Sequence, residues 1–292
     1  MKKRDYLIKA LAYNNEIRIY TSRTTDLVNE ATKISSAYPT AAAALGRTLT
    51  ATVMMGSMLK GQETVTVRIN GGGPIGLILA DANAYGKVRG YVANPRVHFQ
   101  YNNGKLNVGM AVGIEGDLYV TKDLGLKEYF TGQVPLQTGE IGDDFTYYFA
   151  QSEQTPSAVG LGVLVSPENE VLASGGFIIQ VLPNASEETL VKLEKVLRNI
   201  KPVSDMIGEG YTPEDIAKIL GGDDVNVLET VDLEFHCPCD KEKFEPGLIS
   251  LGKEELQDMI EVDNGAEAVC HFCMRRYQFT SEELEQLKTL AK

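Results

Sequence analysis

From Tyr6 to Val181 the apolar positions recur mostly at every second residue. Thr64-Val65-Thr66-Val67-Arg68-Ile69 alternates strictly, and Phe145 to Phe149, Val159 to Val165 and Val171 to Val181 are rich in β-branched and aromatic residues, a pattern that predicts strands. Asn70-Gly71-Gly72-Gly73-Pro74, Asn102-Asn103-Gly104 and Pro167-Glu168-Asn169 supply tight turns between them, so the pairing is expected to be antiparallel. Ala41 to Leu59 departs from this period, with Leu45, Leu49, Thr52, Val53 and Met55 at near-helical spacing, and predicts a buried helix across a sheet face. Met54, Met55 and Met58 on it read as core filler in preference to a binding surface.

Leu182-Pro183-Asn184 interrupts the pattern, and helical periods follow. Ser186 is placed to cap a helix whose Leu190, Leu193, Leu197 and Ile200 fall on one face. Thr212, Pro213 and Asp215 announce a second helix, stopped by Gly221-Gly222, and Thr280 with Glu283 forms a capping box before Leu284, Leu287 and Leu290. The expected fold class is therefore α+β: an antiparallel-sheet core with packed helices over residues 1–181, a helical linker over 182–233 and a small domain over 234–292.

Charge sharpens this division. Residues 1–180 carry 16 basic and 16 acidic side chains, whereas 181–292 carry 12 and 24, so the net charge of −12 belongs to the last part of the chain. An acidic surface argues against nucleic acid or an anionic membrane as partner. The Met1 to Lys9 start has basic residues without an apolar run or cleavage site, and Pro39 to Leu59 contains Arg47. Neither export nor a membrane span is expected.

Chemistry is concentrated near the C-terminus, where all four cysteines lie: Cys237-Pro238-Cys239, then 30 residues, then Cys270-His271-Phe272-Cys273. Two chelating pairs suit one tetrahedral Zn²⁺, which four thiolates coordinate fully and leave without an open position for catalysis. His236 and His271 are poorer alternatives. An inert structural site, a redox-switchable site and a dithiol oxidoreductase all remain open, the first favoured by spacing, the last disfavoured by the lack of a βαβ pattern around Cys270 and Cys273. A nucleic-acid zinc ribbon is disfavoured by the 7 basic and 12 acidic residues of 236–292. Arg275 and Arg276 either help keep the sulfurs as thiolates or form surface ion pairs. Gly71 to Gly76 lacks the Lys-Ser/Thr ending of a phosphate loop and reads as a turn, and His98 is assigned no role.

The cysteine spacing, together with Ala44-Leu45-Gly46-Arg47, Met58-Leu59-Lys60-Gly61, Gly73-Pro74-Ile75-Gly76, Val88-Arg89-Gly90-Tyr91-Val92, Ser152-Glu153-Gln154-Thr155-Pro156 and Gly175-Gly176-Phe177, resembles the redox-regulated thirty-three-kilodalton heat-shock chaperone family over almost the whole chain. The resemblance implies a cytoplasmic, ATP-independent holdase rather than an enzyme, holding one Zn²⁺ per chain when reduced. It further implies that oxidation displaces zinc, pairs Cys237 with Cys239 and Cys270 with Cys273, and unfolds the linker that otherwise packs on the core. Unfolding client proteins would be bound and passed to ATP-dependent refolding chaperones, with a homodimer as the active form. The rival readings are a protein-interaction module with an inert zinc site and a thiol-disulfide oxidoreductase.

Overall fold

The computed structural model describes residues 4–183 and 185–292. Asn184, part of the expected break, and Met1 to Lys3, part of the start read for export, lie outside the described residues. Two compact units are present, Met1–His236 and Cys237–Lys292. In chain order the first contains β1 (Tyr6–Ala12), β2 (Ile17–Arg23), α1 (Thr25–Ser35), α2 (Pro39–Gly56), β3 (Thr64–Asn70), β4 (Ile78–Asn83), β5 (Lys87–Val92), α3 (Val108–Val112), β6 (Asp117–Asp123), β7 (Phe130–Pro135), α4 (Gly142–Gln151), β8 (Ser157–Val165), β9 (Val171–Val181), α5 (Glu187–Asn199), α6 (Val203–Glu209), α7 (Pro213–Gly221), β10 (Asn226–Asp232) and β11 (Glu234–Phe235).

These strands form a five-stranded sheet, ordered β10-β1-β2-β9-β8, and a six-stranded sheet, ordered β11-β5-β4-β3-β6-β7. Pairing is antiparallel except for the short β11 against β5. The helix predicted over Ala41 to Leu59 is α2, which packs against strands of both sheets. Every residue of it except Pro39 and Arg47 is buried. Small side chains allow that approach: a methyl on Gly46 would sit 2.6 Å from Val28 and 2.9 Å from Val163. Its buried Thr48 and Thr52 hydroxyls donate back to the carbonyls of Ala44 and Thr48, so neither hydroxyl is stranded. Met54 and Met55 belong to this core.

The five-stranded sheet is covered on both faces, which is why β1 and β9 are apolar without strict alternation. Leu7 and Ile178 enter the core around α2, whereas their neighbours Ile8, Phe177 and Ile179 join a second core with Leu193, Val203, Met206, Ile216 and Leu220 of α5, α6 and α7. The capping signals act as read: Ser186 accepts from the Thr189 amide, and Thr212 and Asp215 close a reciprocal box on α7.

Two expectations are corrected. Phe145 to Phe149 is not a strand but the middle of α4. Phe145, Tyr148 and Phe149 are buried at helical spacing, and the Asp144 carboxylate accepts from the amides of Gln137, Thr138 and Ile141, fixing the turn that starts the helix. The region after Leu182 is not wholly helical, because β10 extends the five-stranded sheet by pairing with β1. The Gly71 to Gly76 stretch is a turn packed on α3: a methyl on Gly73 would lie 2.4 Å from the Ala111 carbonyl. Close backbone approach explains its glycines.

Candidate metal centre

The second unit contains α8 (Glu245–Leu251), α9 (Lys253–Glu261), β12 (Ala266–Val269), β13 (Arg276–Phe279) and α10 (Ser281–Leu290). Its apolar cluster is small, built on Leu256, Phe279, Leu284, Leu287 and Ala291. Thr280 and Glu283 form the predicted capping box on α10. Domains of this size commonly rely on metals or cross-links in addition to burial.

The β12–β13 hairpin delivers one pair of cysteines. Cys270 directly follows β12, its amide donates to the Arg275 carbonyl at 3.0 Å, and its carbonyl accepts from the Met274 amide at 2.8 Å. Met274 turns through φ +57°, which folds Cys270 and Cys273 towards one point. Cys237 and Cys239 lie on the segment leading to α8. There the Tyr277 hydroxyl of β13 donates to the Cys239 carbonyl at 2.9 Å and lies 3.2 Å from its sulfur. The Phe244 ring packs on Tyr277 with centroids 5.1 Å apart.

All four sulfurs fall within 4.8 Å of one another, and this cluster includes neither His236 nor His271. Two short separations cross between the motifs, 3.7 Å from Cys237 to Cys270 and 3.2 Å from Cys239 to Cys273. Four thiolates at ~2.3 Å from a tetrahedral Zn²⁺ stand about 3.8 Å apart, so the donor set fits such an ion. The cysteines are free thiols rather than disulfides. Cys270 is buried and the other three are half-buried.

The cluster ionises unevenly. Burial raises the Cys239 thiol, but hydrogen bonds with Tyr277, Cys273, Cys237 and Cys270 outweigh it and bring the group down to about 7. Cys273 is pushed up to about 12, by burial and then by its cysteine neighbours, against the lowering Arg275 amide. One negative charge is thus readily accommodated and further ones repel it. A cation at the centre would remove that repulsion.

The two arginines divide between the readings open in the sequence. Arg276 pairs with Glu267 at 2.7 Å. Arg275 is held firmly protonated by its hydrogen bond with Tyr277 and by the Cys273 and Cys239 charges, and so supports the thiolates. Tyr277 itself escaped the sequence reading. An aromatic four residues beyond Cys273 is the signal, but nothing local says that its hydroxyl turns to the cysteine of the other motif.

Of the proposed linker face, Leu193 is 5% exposed, and Leu197 and Ile200 are half-buried against the same core. Leu190 differs, being 37% exposed, and Val196 joins the packing instead. His98 meets Thr40 through its Nδ1 at 3.3 Å.

An antiparallel α+β core followed by a small four-cysteine unit defines the class of protein. The Hsp33 protein family matches residues 5–280, and the chain belongs to that family. The 33 kDa chaperonin of Bacillus subtilis (strain 168) is 58% identical over 285 residues, covering 97% of this chain and 98% of the relative. The 33 kDa chaperonin of Geobacillus kaustophilus is 58% identical over 290 residues, 99% of each chain. A crystal structure of the 33 kDa chaperonin from Thermotoga maritima superposes with a TM-score of 0.92 at 36% identity, covering 99% of both chains. The fold class and the family implied by the sequence motifs both stand.

Proposed function

We propose that this chain is an ATP-independent holdase, not an enzyme, kept inactive while its cysteines are reduced and hold one Zn²⁺, and activated by their oxidation. The observation that carries this reading is the cluster of four free thiols within 4.8 Å in a unit with a small apolar core. When bound, the ion supplies the positive charge that keeps Cys237, Cys239, Cys270 and Cys273 together as thiolates.

A thiolate attacks a peroxide oxygen, breaking the O–O bond to give a sulfenic acid and hydroxide, and the neighbouring thiolate then displaces hydroxide from that sulfur to form a disulfide. Two electrons leave the sulfur pair, and the peroxide with two protons becomes two waters. Pairing Cys237 with Cys239 and Cys270 with Cys273 consumes the ligand set and leaves nothing covalent between the two motifs. This within-motif pattern is the one that the resemblance to the family implies, and loss of metal binding removes much of the stability of such small units.

The acidic linker, 182–233, then unfolds from the core domain, 1–181. Residues 181–235 carry 5 basic and 12 acidic side chains, so the linker helices repel one another once undocked. Undocking exposes Leu193, Leu197, Ile200 and the sheet face beneath them to unfolding client proteins in the cytoplasm. Clients pass on to ATP-dependent refolding chaperones, and the active form is a homodimer without nucleic-acid or membrane partners. The zinc domain in this scheme is 234–292. Among the described residues no helix is long and apolar enough to cross a membrane.

The test is metal content against light-scattering protection of an aggregating client across a peroxide titration. Protection should rise as zinc is lost, and peptide mapping should find the two within-motif disulfides. Protection that stays constant would favour an interaction module with an inert site, and catalytic disulfide turnover would favour an oxidoreductase.

A further inference from the structure

A cavity of about 840 Å³, within the size range of small-molecule sites, is lined both by core residues and by Pro202 to Asp205 at the start of α6. Its apolar lining includes Leu106, Leu161 and Val165, which pack on the core around α2, and Val203, which belongs to the second core. Its polar lining is rich in hydrogen-bond donors. Arg47, the only charged residue of α2, is half-buried and gives Nη1 to the carbonyl and carboxylate of Glu140. Its Nε is buried without an acceptor, and nothing among the described residues accepts from its Nη2. The Lys105 ammonium is exposed and has no ion partner among the described residues. The Tyr101 hydroxyl donates to Glu140 at 3.0 Å and the Tyr101 amide to the Lys105 carbonyl at 2.8 Å, which ties the turn carrying Lys105 to Arg47.

The lining carboxylates leave this surplus of donors in place. Burial raises the Glu140 carboxyl, but hydrogen bonds from Arg47 and the Gly109 amide outweigh it and hold the group below its usual range, so Glu140 is ionised and engaged. Asp205 is exposed, where water and salt screen its charge. With Arg47 and Glu140 cancelling, the charge left for a ligand is that of Lys105, which suits a monoanion better than a phosphate dianion. A buried N–H without an acceptor is costly, and a carboxylate oxygen supplies one.

We infer that this cavity binds a small monocarboxylate with an apolar body, its carboxylate held by the Arg47 guanidinium and the Lys105 ammonium and its body lying against Leu161, Val165 and Val203. Because the lining comes from the core and from α6 alike, undocking of α6 dismantles the site, and a bound ligand therefore holds α6 in place. The site stands apart from the holdase reading. Only its consequence, slower activation by oxidant while the ligand is bound, rests on that reading.

The probe is octanoate, with octanamide as its uncharged counterpart and acetate as the head without the body. In full-length reduced protein, titration calorimetry should find octanoate bound about tenfold more tightly than either, or more. Arg47→Lys keeps a cation beside Glu140 but loses the planar guanidinium, and should weaken binding about tenfold, whereas Lys105→Gln, in an exposed turn, should weaken it about fivefold. If Arg47→Lys misfolds, Lys105→Gln and octanamide still decide the question. Octanoate at about ten times its dissociation constant should slow amide exchange at Met206 and Ile207 by about tenfold, since the ligand-bound form then outnumbers the free form by that factor. Equal binding of octanoate and octanamide, binding indifferent to both substitutions, or protection centred in the second unit would overturn the site. Binding that leaves exchange in α6 unchanged would overturn its hold on the linker. Protection of α6 in a protein that peroxide does not activate would uphold the site and overturn the holdase reading alone.

Discussion

Leu190 and Leu193 lie one turn apart on α5, and the sequence treats them alike. The structure separates them, at 37% and 5% exposed. Leu193→Glu places a carboxylate without a partner in the apolar cluster that Leu193 shares with Val203 and Ile216. Truncation of such a leucine to alanine alone costs about 2–5 kcal/mol, and the lower end applies to a peripheral helix that can settle. The stranded carboxylate adds several kcal/mol more, so the cheaper outcome is for α5 to leave this cluster. Leu190→Glu, on the exposed side, should change stability by no more than about 0.5 kcal/mol. The assay is limited proteolysis of the reduced proteins, together with hydrogen exchange resolved along the chain. Leu193→Glu should speed cleavage between residues 186 and 221 and lose amide protection there first, while α2 stays protected. It should also give partial holdase activity without oxidant. Identical behaviour of the two variants, or full protection of Leu193→Glu, would refute the idea that this face latches the linker.

Tyr277→Phe removes the hydrogen bonds to the Cys239 carbonyl and sulfur while keeping the ring against Phe244, and should lower metal affinity about 10- to 100-fold in chelator competition. Gly86 has φ +76° and a methyl there would lie 2.1 Å from the Asp232 carbonyl, so Gly86→Ala should destabilise the β10–β11 passage by more than ~1 kcal/mol and raise exchange at Val231 and Leu233. Asp5 is raised from 3.8 to about 7 because burial outweighs the Leu27 amide and the Arg23 guanidinium. A folded pKa above the unfolded one means that the native state binds the extra proton, so this group's contribution is complete below pH ~4 and declines as pH rises towards 7. Thermal unfolding across that window should show a falling slope that Asp5→Asn flattens.

The caps at Ser186, Thr212 and Thr280 act within three residues of themselves, so their chemistry is complete in the sequence. The helix at α2 and the cysteine spacing were equally legible, because a near-continuous run of small and apolar residues and two chelating pairs each limit what the chain can do. Phe145 to Phe149 was misread because a five-residue aromatic run satisfies both periods, and what decides it is the grip of Asp144 on amides that precede it. β10 was invisible for a related reason. Val227 and Leu228 remain exposed, so its pattern carries no buried face, and its strand state comes only from the ladder offered by β1 more than two hundred residues earlier. Likewise Tyr277 reaches Cys239 across the site, and Leu193 rather than Leu190 joins the second core, because long-range packing selects among positions that helical spacing leaves equivalent. Sequence determined most of the elements, the paired spacing of the four cysteines and the family; tertiary structure decided the rest of the elements and which faces are covered, since those depend on contacts between residues that the local pattern does not connect.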